Sequence, residues 1–208
     1  MRGRYVVLEG GEGVGKTTQA ELLAARLRAT GVAVEVVREP GGDPFAEAGR
    51  ELLLGDLPRT GEAEVLLFNA LRAQVLLTRV LPALEADTWV VSDRSRLSTL
   101  AYQGYGRGVN IDWTRAVCDD TVALCPADLE LVLQADETIV QARRERRGVT
   151  DQFERLDDAF HQRVVAGYLT EAAAAGIDVV DASGSPAEVA EAIWARVQPL
   201  GVGGSSPG

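Results

Sequence analysis

The chain of 208 residues has few of the residue types that typify secreted, membrane-spanning or metal-centred proteins. Its two cysteines, Cys118 and Cys125, give neither a disulfide framework nor the spacing of a metal site, so we predict small buried side chains in a reducing compartment. No apolar run approaches the roughly 20 residues of a membrane helix, and the first residues lead straight into a predicted strand. We therefore expect a cytoplasmic protein with neither a secretory signal nor a membrane span.

Positive charge is also scarce in this chain. The 21 Lys and Arg residues are outnumbered by 31 Asp and Glu residues, which leaves a formal net charge of −10. This balance disfavours broad binding to nucleic acids or to anionic membranes, but it is compatible with a local basic pocket for a small phosphorylated substrate. The single histidine, His161, lies on a predicted helix, and we interpret it as a solvated side chain rather than an acid or a base.

Short strands rich in Val and Leu alternate with longer helical segments, and this alternation is typical of an α/β fold. The predicted strands are 4–9, 32–37, 89–92, 129–133 and 177–181. The predicted helices are 16–30, 44–54, 61–86, 97–103, 112–124, 136–147, 153–175 and 186–198. We predict a doubly wound parallel five-stranded sheet flanked by helices, with ligands bound at the carboxyl ends of the strands.

The hydrophobic content of 46% and the length of 208 residues fit a single domain. No internal repeat or long linker divides the chain, and we assign residues 1–200 to this domain. The remaining segment, 201–208, is rich in Gly, Ser and Pro, and we expect it to be disordered.

The first predicted strand leads into a glycine-rich segment with the pattern Gly-x-x-x-x-Gly-Lys-Thr, which begins at Gly10. Between a strand and a helix, this pattern is the phosphate-binding P-loop, whose backbone N–H groups face phosphate oxygens. Lys16 would neutralise the β- and γ-phosphates, and Thr17 would offer its hydroxyl to Mg²⁺. The sequence therefore predicts a P-loop nucleoside triphosphate hydrolase fold. The predicted nucleotide-binding residues are Gly10, Gly11, Glu12, Gly13, Val14, Gly15, Lys16, Thr17 and Thr18.

Charged residues follow the second and third predicted strands, at the edge of the sheet where the P-loop also lies. Arg38 and Glu39 come after the second strand, and Asp93 and Arg94 end the third. A carboxylate at this position can hold Mg²⁺ or one of its waters, and an arginine can bind an acceptor phosphate through two N–H groups. A structural ion pair is the alternative for each pair alone. Because both pairs share an edge with the P-loop, we favour a functional role.

Several segments, in a fixed order along the chain, make the sequence similar to the bacterial thymidylate kinase family. They are 10–18, 38–42, 68–72, 93–94 and 98–104. The resemblance extends from about Arg4 to about Val197 and is more specific than the P-loop alone. It implies that the γ-phosphoryl group of ATP passes to thymidine monophosphate, with Mg²⁺ as cofactor.

The resemblance also implies a site for the sugar and phosphate of the acceptor. Glu12 would accept a hydrogen bond from the deoxyribose 3′-hydroxyl. Arg38 and Arg94 would hold the acceptor phosphate, while Glu39 and Asp93 would lie near the metal ion and its waters.

For the pyrimidine base, the resemblance implies a second group of residues. Phe68 would stack on the ring, and Arg72 would donate to the carbonyl oxygen at position 4, which favours thymine over cytosine. Ser98 and Gln103 would complete recognition of the base, and Tyr102 would crowd the 2′ position and disfavour ribonucleotides. The alternative from the residues alone is that Phe68 and Tyr102 pack in a core.

A cluster of arginines on the helix predicted at 136–147 resembles the lid of the bacterial enzymes, which lends arginine to the transferred phosphoryl group. Arg143 and Arg147 are i, i+4 neighbours on one helix face, and we expect a small arginine-rich lid at about 142–154. An exposed helix with solvated charges is the alternative. Gln152 stands where the family commonly has arginine, so one expected cation is missing. The predicted catalytic set is Lys16, Glu39, Arg94, Arg143 and Arg147.

Other functions fit the sequence less well. A guanine-reading Asn-Lys-x-Asp segment is absent, because the asparagines are Asn69 and Asn110, and this argues against a GTPase. A kinase for another nucleoside monophosphate and a nucleotide-binding module without activity remain alternatives. The resemblance further suggests adenine near 181–186 and a homodimer that uses apolar faces of 61–86, with neither a nucleic acid nor a membrane as partner.

Overall fold

A computed structural model describes residues 2–147, 153 and 156–202, and of Arg147 it describes only the backbone. The predicted lid residues 148–152 and 154, with Gln152 among them, lie outside this description, as do residue 155 and the tail residues 203–208. Val202 packs against the hydrophobic core, so the folded domain extends past the predicted boundary at residue 200.

Parallel strands form one five-stranded sheet in the order β2-β3-β1-β4-β5. The strands are β1 Tyr5–Gly10, β2 Val34–Arg38, β3 Trp89–Asp93, β4 Leu129–Gln134 and β5 Asp178–Asp181. This arrangement confirms the predicted doubly wound α/β sheet. Leu8 of β1 lies opposite Asp93 of β3, so the end of β3 is beside the segment that becomes the P-loop.

Helices connect these strands and cover both faces of the sheet. They are α1 Lys16–Ala29, α2 Pro44–Leu54, α3 Gly61–Val75, α4 Leu81–Glu85, α5 Arg96–Thr99, α6 Ile111–Val122, α7 Glu137–Arg147, α8 Asp158–Ala175 and α9 Pro186–Val197. Two π-helical turns, Leu76–Val80 and Leu100–Gly106, and a short 3₁₀ turn, Gln198–Leu200, extend three of the helices. The single helix expected at 61–86 is therefore α3 and α4 joined by a π-helical turn.

The start of the helix expected at 153–175 was wrong. Helix α8 begins at Asp158, because the carboxylate of Asp157 accepts a hydrogen bond from the backbone N–H of Phe160 and caps the helix there. Phe153 lies in a turn before this cap and is buried. Its side chain is thus free of helical constraints and can contribute to the core beside the candidate site.

Alternating side chains of β1 divide the core between the two faces of the sheet. Val6 and Leu8 pack with residues of α1 and α9 on one face, whereas Tyr5 and Val7 pack with α3 and α4 on the other. A third cluster brings the π-helical turn after α5 together with α6 and α8, and Cys118 is buried in it. Cys118 and Cys125 are both buried and unpaired, as the sequence predicts.

The helical stretch Gly61–Glu85 is long and apolar enough to meet the composition of a membrane span, so the expectation that no such run exists was wrong. A core helix of a folded domain passes the same test. Here Val65, Leu71 and Val75 are buried in the protein, and the same helix contributes the buried Arg72. Packing in the domain accounts for the apolar composition of this stretch.

Candidate active site

A cavity of about 850 Å³ opens at the carboxyl ends of the strands. Its walls come from the P-loop, from residues after β2 and β3, from helices α3 and α7, and from the start of α9. We use "acceptor wall" for the side of the cavity formed by Glu39, Phe68, Arg72, Arg94 and Tyr102, all of which line it. The fold thus brings most of the predicted site residues to one place.

The P-loop has the backbone that close phosphate contact requires. Gly10, Gly13 and Gly15 have φ angles of +140°, +78° and +97°, a region that L side chains rarely adopt. A Cβ on Gly13 would meet Val140 Cγ1 at 3.2 Å, because helix α7 packs directly on the loop. Glycine at this position therefore permits both the turn and the close approach of α7.

Lys16, the only lysine of the chain, is 6% exposed, and its Nζ donates to the carbonyl oxygen of Gly11 at 2.6 Å. Burial, together with the nearby positive charge of Arg94, lowers the pKa of Lys16 to about 8. Lys16, predicted to neutralise the β- and γ-phosphates, has its ammonium group folded back on its own loop in this structure. A phosphate group bound in the loop would place negative charge beside Lys16 and favour its charged form, which burial disfavours.

The residues predicted to hold Mg²⁺ are in direct contact. The Thr17 hydroxyl donates to Asp93 Oδ2 at 2.6 Å, and this bond links the start of α1 to the end of β3. Two oxygen ligands at the phosphate end of a P-loop suit Mg²⁺, which takes its remaining ligands from phosphate and water. Among residues 2–147, 153 and 156–202 there is no cluster of three or more His, Cys, Asp and Glu side chains for a metal bound by protein alone. The donor set therefore fits a metal that arrives with a nucleotide.

Arg94 is held in a conformation that is unusual for a residue other than glycine, with φ of +80°. Its Nη1 is 3.1 Å from both Ser98 Oγ and Tyr168 Oη, and its Nη2 donates to Glu12 Oε1. The guanidinium also lies 5.2 Å from the centre of the Tyr102 ring. These contacts hold the cation of Arg94 between the carboxylate of Glu12 in the P-loop and the ring of Tyr102.

Glu9 is a site residue that sequence reasoning missed. Its side chain is fully buried at the end of β1, and burial raises its pKa. Glu9 Oε1 accepts from the backbone N–H groups of Ser95 and Ser98 at 2.8 and 3.2 Å, and Oε2 accepts from the Ser98 hydroxyl at 2.6 Å. The carboxylate thus holds the turn that carries Arg94. A glutamate in an otherwise apolar buried strand was the available signal.

Ser98 was predicted to read the base, but its hydroxyl has partners of another kind. It donates to Glu9, and it lies 2.8 Å from Tyr168 Oη and 3.1 Å from Arg94 Nη1. Tyr168, on α8, was also missed by the sequence analysis, because nothing local in the chain links α8 to Arg94. This geometry suits a residue that positions Arg94.

Arg72 is nearly inaccessible, with 1% of its side chain exposed, although it lines the cavity. Its Nε donates to Glu39 Oε2 at 2.7 Å and its Nη1 to Asn69 Oδ1 at 2.6 Å. Its Nη2 donates to the backbone oxygen of Ser95 at 2.9 Å and to Thr99 Oγ1 at 3.0 Å. The guanidinium is therefore held by four residues: Glu39 after β2, Asn69 on its own helix, and Ser95 and Thr99 after β3.

Glu39, expected near the metal ion, lies instead against Arg72. Burial raises the pKa of Glu39 to about 7, although the adjacent guanidinium of Arg72 acts in the opposite direction. Glu39 Oε1 is buried and has no hydrogen-bond partner among the described residues, whereas Oε2 accepts from Arg72. The contact observed for this carboxylate is the one with Arg72.

Aromatic rings form the apolar part of the acceptor wall. The centre of the Phe153 ring lies 6.3 Å from that of Phe68 and 5.9 Å from that of Tyr102. Gln103 lines the cavity as predicted, but its Nε2 donates to Glu64 Oε2 at 3.0 Å. Phe153 was not among the predicted site residues, because its place in the cavity depends on the turn before α8.

Two arginines from the region after β2 complete the acceptor side. Arg38 is exposed and donates to both oxygens of Glu47 at 3.2 Å. Arg50, on α2, also lines the cavity and donates to the backbone oxygen of Pro40 at 2.7 Å. Arg50 was missed because, in the sequence, it is one of many arginines on amphipathic helices.

The helix that carries the start of the predicted lid, α7, packs on the P-loop. Arg143 Nη1 donates to the backbone oxygen of Ala182 at 3.1 Å, and its Nη2 donates to that of Gly184 at 3.2 Å. Arg143 therefore contacts the turn after β5 in this structure. Arg146 lines the cavity as well, whereas the side chain of Arg147 lies outside the described part of the chain.

His161, interpreted from sequence as solvated, is half-buried and packs against α7. Its Nε2 lies 2.9 Å from Arg144 Nη2, and its ring packs edge-to-face on Phe160. Burial and the charge of Arg144 lower the pKa of His161, which favours the neutral ring as a hydrogen-bond acceptor. The solvated interpretation was wrong because α7 covers this part of α8.

Comparisons with known proteins are consistent with this site. The family model described as thymidylate kinase matches residues 8–193. A thymidylate kinase from Synechococcus sp. (strain JA-3-3Ab) is 45% identical over 197 residues, which cover 94% of this chain and 95% of the relative. One from Deinococcus radiodurans is 40% identical over 203 residues, 96% of this chain and 98% of the relative. The crystal structure of thymidylate kinase from Ehrlichia chaffeensis superposes with a TM-score of 0.79 at 26% identity, covering 95% of this chain and all of that one.

Proposed function

The chain belongs to the thymidylate kinase family, which makes it an ATP-dependent nucleoside monophosphate kinase, and we propose that its acceptor is thymidine monophosphate. The product is then thymidine diphosphate, for the synthesis of the triphosphate. One observation carries the proposal for the site: the P-loop, the buried Arg72 and the partly buried Arg94 line the same cavity.

For the donor, we propose that the P-loop binds the phosphates of ATP. Backbone N–H groups of residues 10–18 would donate hydrogen bonds to the phosphate oxygens, and Lys16 would move from the carbonyl of Gly11 to the β- and γ-phosphates. Thr17 and Asp93 would hold Mg²⁺ and its waters, and the bound metal would neutralise charge that develops on the phosphates. Arg143 belongs to the predicted lid and contacts the turn 181–186, and we propose that it also borders the adenine.

For the acceptor phosphate, we propose a clamp made of Arg94 and Arg38. Arg94 contacts Glu12 of the P-loop and lines the cavity, so a phosphate bound to it would face the P-loop. No general base is needed, because the attacking phosphate oxygen is already anionic and its alignment does most of the work. Glu12 is proposed to accept a hydrogen bond from the 3′-hydroxyl of the sugar. This bond would link the donor loop to the acceptor. Tyr102, within 3.2 Å of Glu12, would border the 2′ position.

For the base, we propose that thymine stacks on Phe68 with its 4-oxygen toward Arg72. The apolar surroundings of Phe68 and Phe153 suit a planar ring, and an immobilised guanidinium favours a carbonyl acceptor over an amino donor. Gln103 borders the same space. Among the lid residues, Arg147 and Arg143 are proposed to stabilise the transferred phosphoryl group when the lid closes.

We further propose a cytoplasmic homodimer, without a nucleic acid or a membrane as partner. On the stretch 61–86, Val65, Val75 and Leu76 are buried within the domain, whereas Leu66 and Leu77 are exposed. The last two are therefore the candidates for contact with a second copy.

The test is an assay of ADP release with ATP and Mg²⁺ against the monophosphates of thymidine, deoxyuridine, uridine, cytidine, adenosine and guanosine. We expect a strong preference for thymidine monophosphate. Activity on another monophosphate instead would keep the kinase and overturn the acceptor, and no activity with intact ATP binding would favour a nucleotide-binding module.

A further inference from the structure

Glu64, in the first turn of α3, is a buried carboxylate that the proposed reaction does not use. We propose that Glu64 is a positioning residue: it fixes the amide of Gln103 with its oxygen toward the cavity, so that the enzyme selects a base with an N–H group at position 3. This inference rests on the proposed acceptor. Glu64 is 1% exposed and does not line the cavity, so it would act through Gln103 rather than on the substrate.

Two arginines hold the carboxylate of Glu64 in place. Arg107 donates from Nε to Oε2 at 2.8 Å and from Nη2 to Oε1 at 2.9 Å, and Arg59 donates from Nε to Oε1 at 3.1 Å. These charge-assisted bonds compensate the buried negative charge and restrict the direction of both oxygens. Oε2, the oxygen that also accepts from Gln103, therefore has a fixed position.

Gln103 contacts Glu64 through one end of its amide. It lies in the π-helical turn after α5, is 1% exposed and lines the cavity, and its Nε2 donates to Glu64 Oε2 at 3.0 Å. The other end, Oε1, accepts no hydrogen bond from the described residues, and it does not belong to the buried polar atoms of these residues that lack a partner. Oε1 therefore keeps access to the cavity that Gln103 borders.

A carboxylate beside an amide permits only one of the two amide orientations. It accepts hydrogen bonds and donates none, so a flipped Gln103 would set its carbonyl oxygen against the negative charge of Glu64. The flipped side chain would also present its N–H groups to the cavity. Glu64 thus determines whether Gln103 offers an acceptor or a donor to a bound base.

An acceptor at this place distinguishes pyrimidines by their position 3. Thymine and uracil carry an N–H group there, whereas cytosine has a bare nitrogen that is itself an acceptor. Gln103 lies one helical turn after Thr99, which contacts Arg72, so a base with its 4-oxygen toward Arg72 brings position 3 toward Gln103. With cytosine, two acceptors would face each other without a hydrogen atom between them.

The test compares kcat/KM for the monophosphates of thymidine, deoxyuridine and deoxycytidine. In Glu64→Gln, both arginines compete for the single amide oxygen, which turns the new NH₂ group toward Gln103 and favours the flipped amide there. We expect kcat/KM for the thymidine and deoxyuridine compounds to fall alike, about tenfold to hundredfold and mainly through KM, with little loss for deoxycytidine monophosphate. The ratio between substrates is independent of the folded fraction of the preparation.

Gln103→Leu is the second variant, because it removes the acceptor that faces the base and leaves Glu64 with both arginines. It should lower the preference for thymidine over deoxycytidine monophosphate, and adding Glu64→Gln should lower this preference no further. The role of Glu64 is refuted by additive losses, by an equal loss on all three substrates in Glu64→Gln, or by a wild-type preference in either single variant.

Arg59→Gln is the matched control, because it removes a cation beside Glu64 but keeps the carboxylate that Gln103 contacts. We expect this variant to keep the wild-type preference. The same change of preference in Arg59→Gln would overturn the proposal, since any disturbance of the buried cluster would then suffice. If the wild type does not phosphorylate thymidine monophosphate at all, the proposed acceptor fails instead, so the two failures are distinguishable.

Discussion

The P-loop and the acceptor wall border one cavity, but the first is a run of consecutive residues and the second is assembled from segments far apart in the chain. In the P-loop, the functional groups are mostly backbone N–H groups, positioned by glycines with positive φ. In the acceptor wall they are side chains, and each arginine is held by side chains from elsewhere in the fold.

This difference determines how each region responds to change. Few side chains support the P-loop. Its function should therefore be lost mainly through substitution of the few residues that contact phosphate directly. A side-chain site has a second layer, in which Glu9 and Ser98 support Arg94 while Glu39 and Asn69 support Arg72. Substitutions in that layer should produce graded and separable losses.

The largest effect is expected on the donor side, for Lys16→Ala. Phosphoryl transfer should fall by about 10³-fold or more, because no other lysine is available to neutralise the developing charge. The fold should remain intact, since burial already lowers the pKa of Lys16 and gives its charge little stabilising value. Steady-state kinetics and thermal unfolding measure the two parts, with Arg28→Ala on the same helix as control. Retained activity would refute the P-loop assignment.

The next effect concerns the acceptor wall, where Arg72→Ala should reduce the preference for thymidine over deoxycytidine monophosphate by about 10²-fold. This variant should also lose about 3–5 kcal/mol of unfolding free energy, because Glu39 is left buried without its partner. Denaturant unfolding and competition kinetics check both. Adding Glu39→Gln should recover part of the stability but none of the selectivity, and recovery of both would contradict a base-reading role.

A smaller effect is expected for Ser98→Ala, which removes a contact of Arg94 without touching Arg72. KM for thymidine monophosphate should rise about tenfold, and KM for deoxyuridine monophosphate should rise by the same factor, because the phosphate clamp is shared by both. Tyr168→Phe should act in the same direction. A change in the preference between bases would instead return Ser98 to the role predicted from sequence.

The smallest effect is a proton taken up when the nucleotide binds. With a pKa of about 8, Lys16 is partly neutral in the free protein at pH 8.5, and phosphate favours its charged form. Binding of ATP and Mg²⁺ at pH 8.5 should therefore take up more than about half a proton, and this uptake should decrease toward pH 7. Calorimetry in buffers of different ionisation enthalpy measures it. Lys16→Met should abolish the excess, and an equal uptake in that variant would contradict the assignment.

Much of the fold was predictable from local patterns. The five strands were found within about two residues of their observed bounds, because Val-rich runs and the glycines after them are local signals. The start of α8 was not found, since the cap at Asp157 competes with several other acidic residues nearby. The π-helical turns were also missed, because no sequence period distinguishes them from α-helix.

Within the candidate site, the residues of the P-loop side were more predictable from sequence than those of the acceptor wall. Lys16, Thr17 and Asp93 were predictable because a motif or a strand end marks them, and the structure brings them together. Glu9, Thr99, Tyr168 and Phe153 had no such mark, and their partners are remote in the chain. Residues that act through another side chain leave no spacing to detect.

By itself, the sequence determined the P-loop, the parallel α/β architecture and the family of this protein, because each depends on short-range order: glycine positions, apolar alternation and motif spacing. Only the tertiary structure decided which carboxylate meets which arginine. Glu39 was expected at the metal and lies on Arg72, and Ser98 was expected at the base and lies beside Arg94. Partners of buried charges are chosen by the packing of distant segments, where each charge must be compensated in a medium that contains little water.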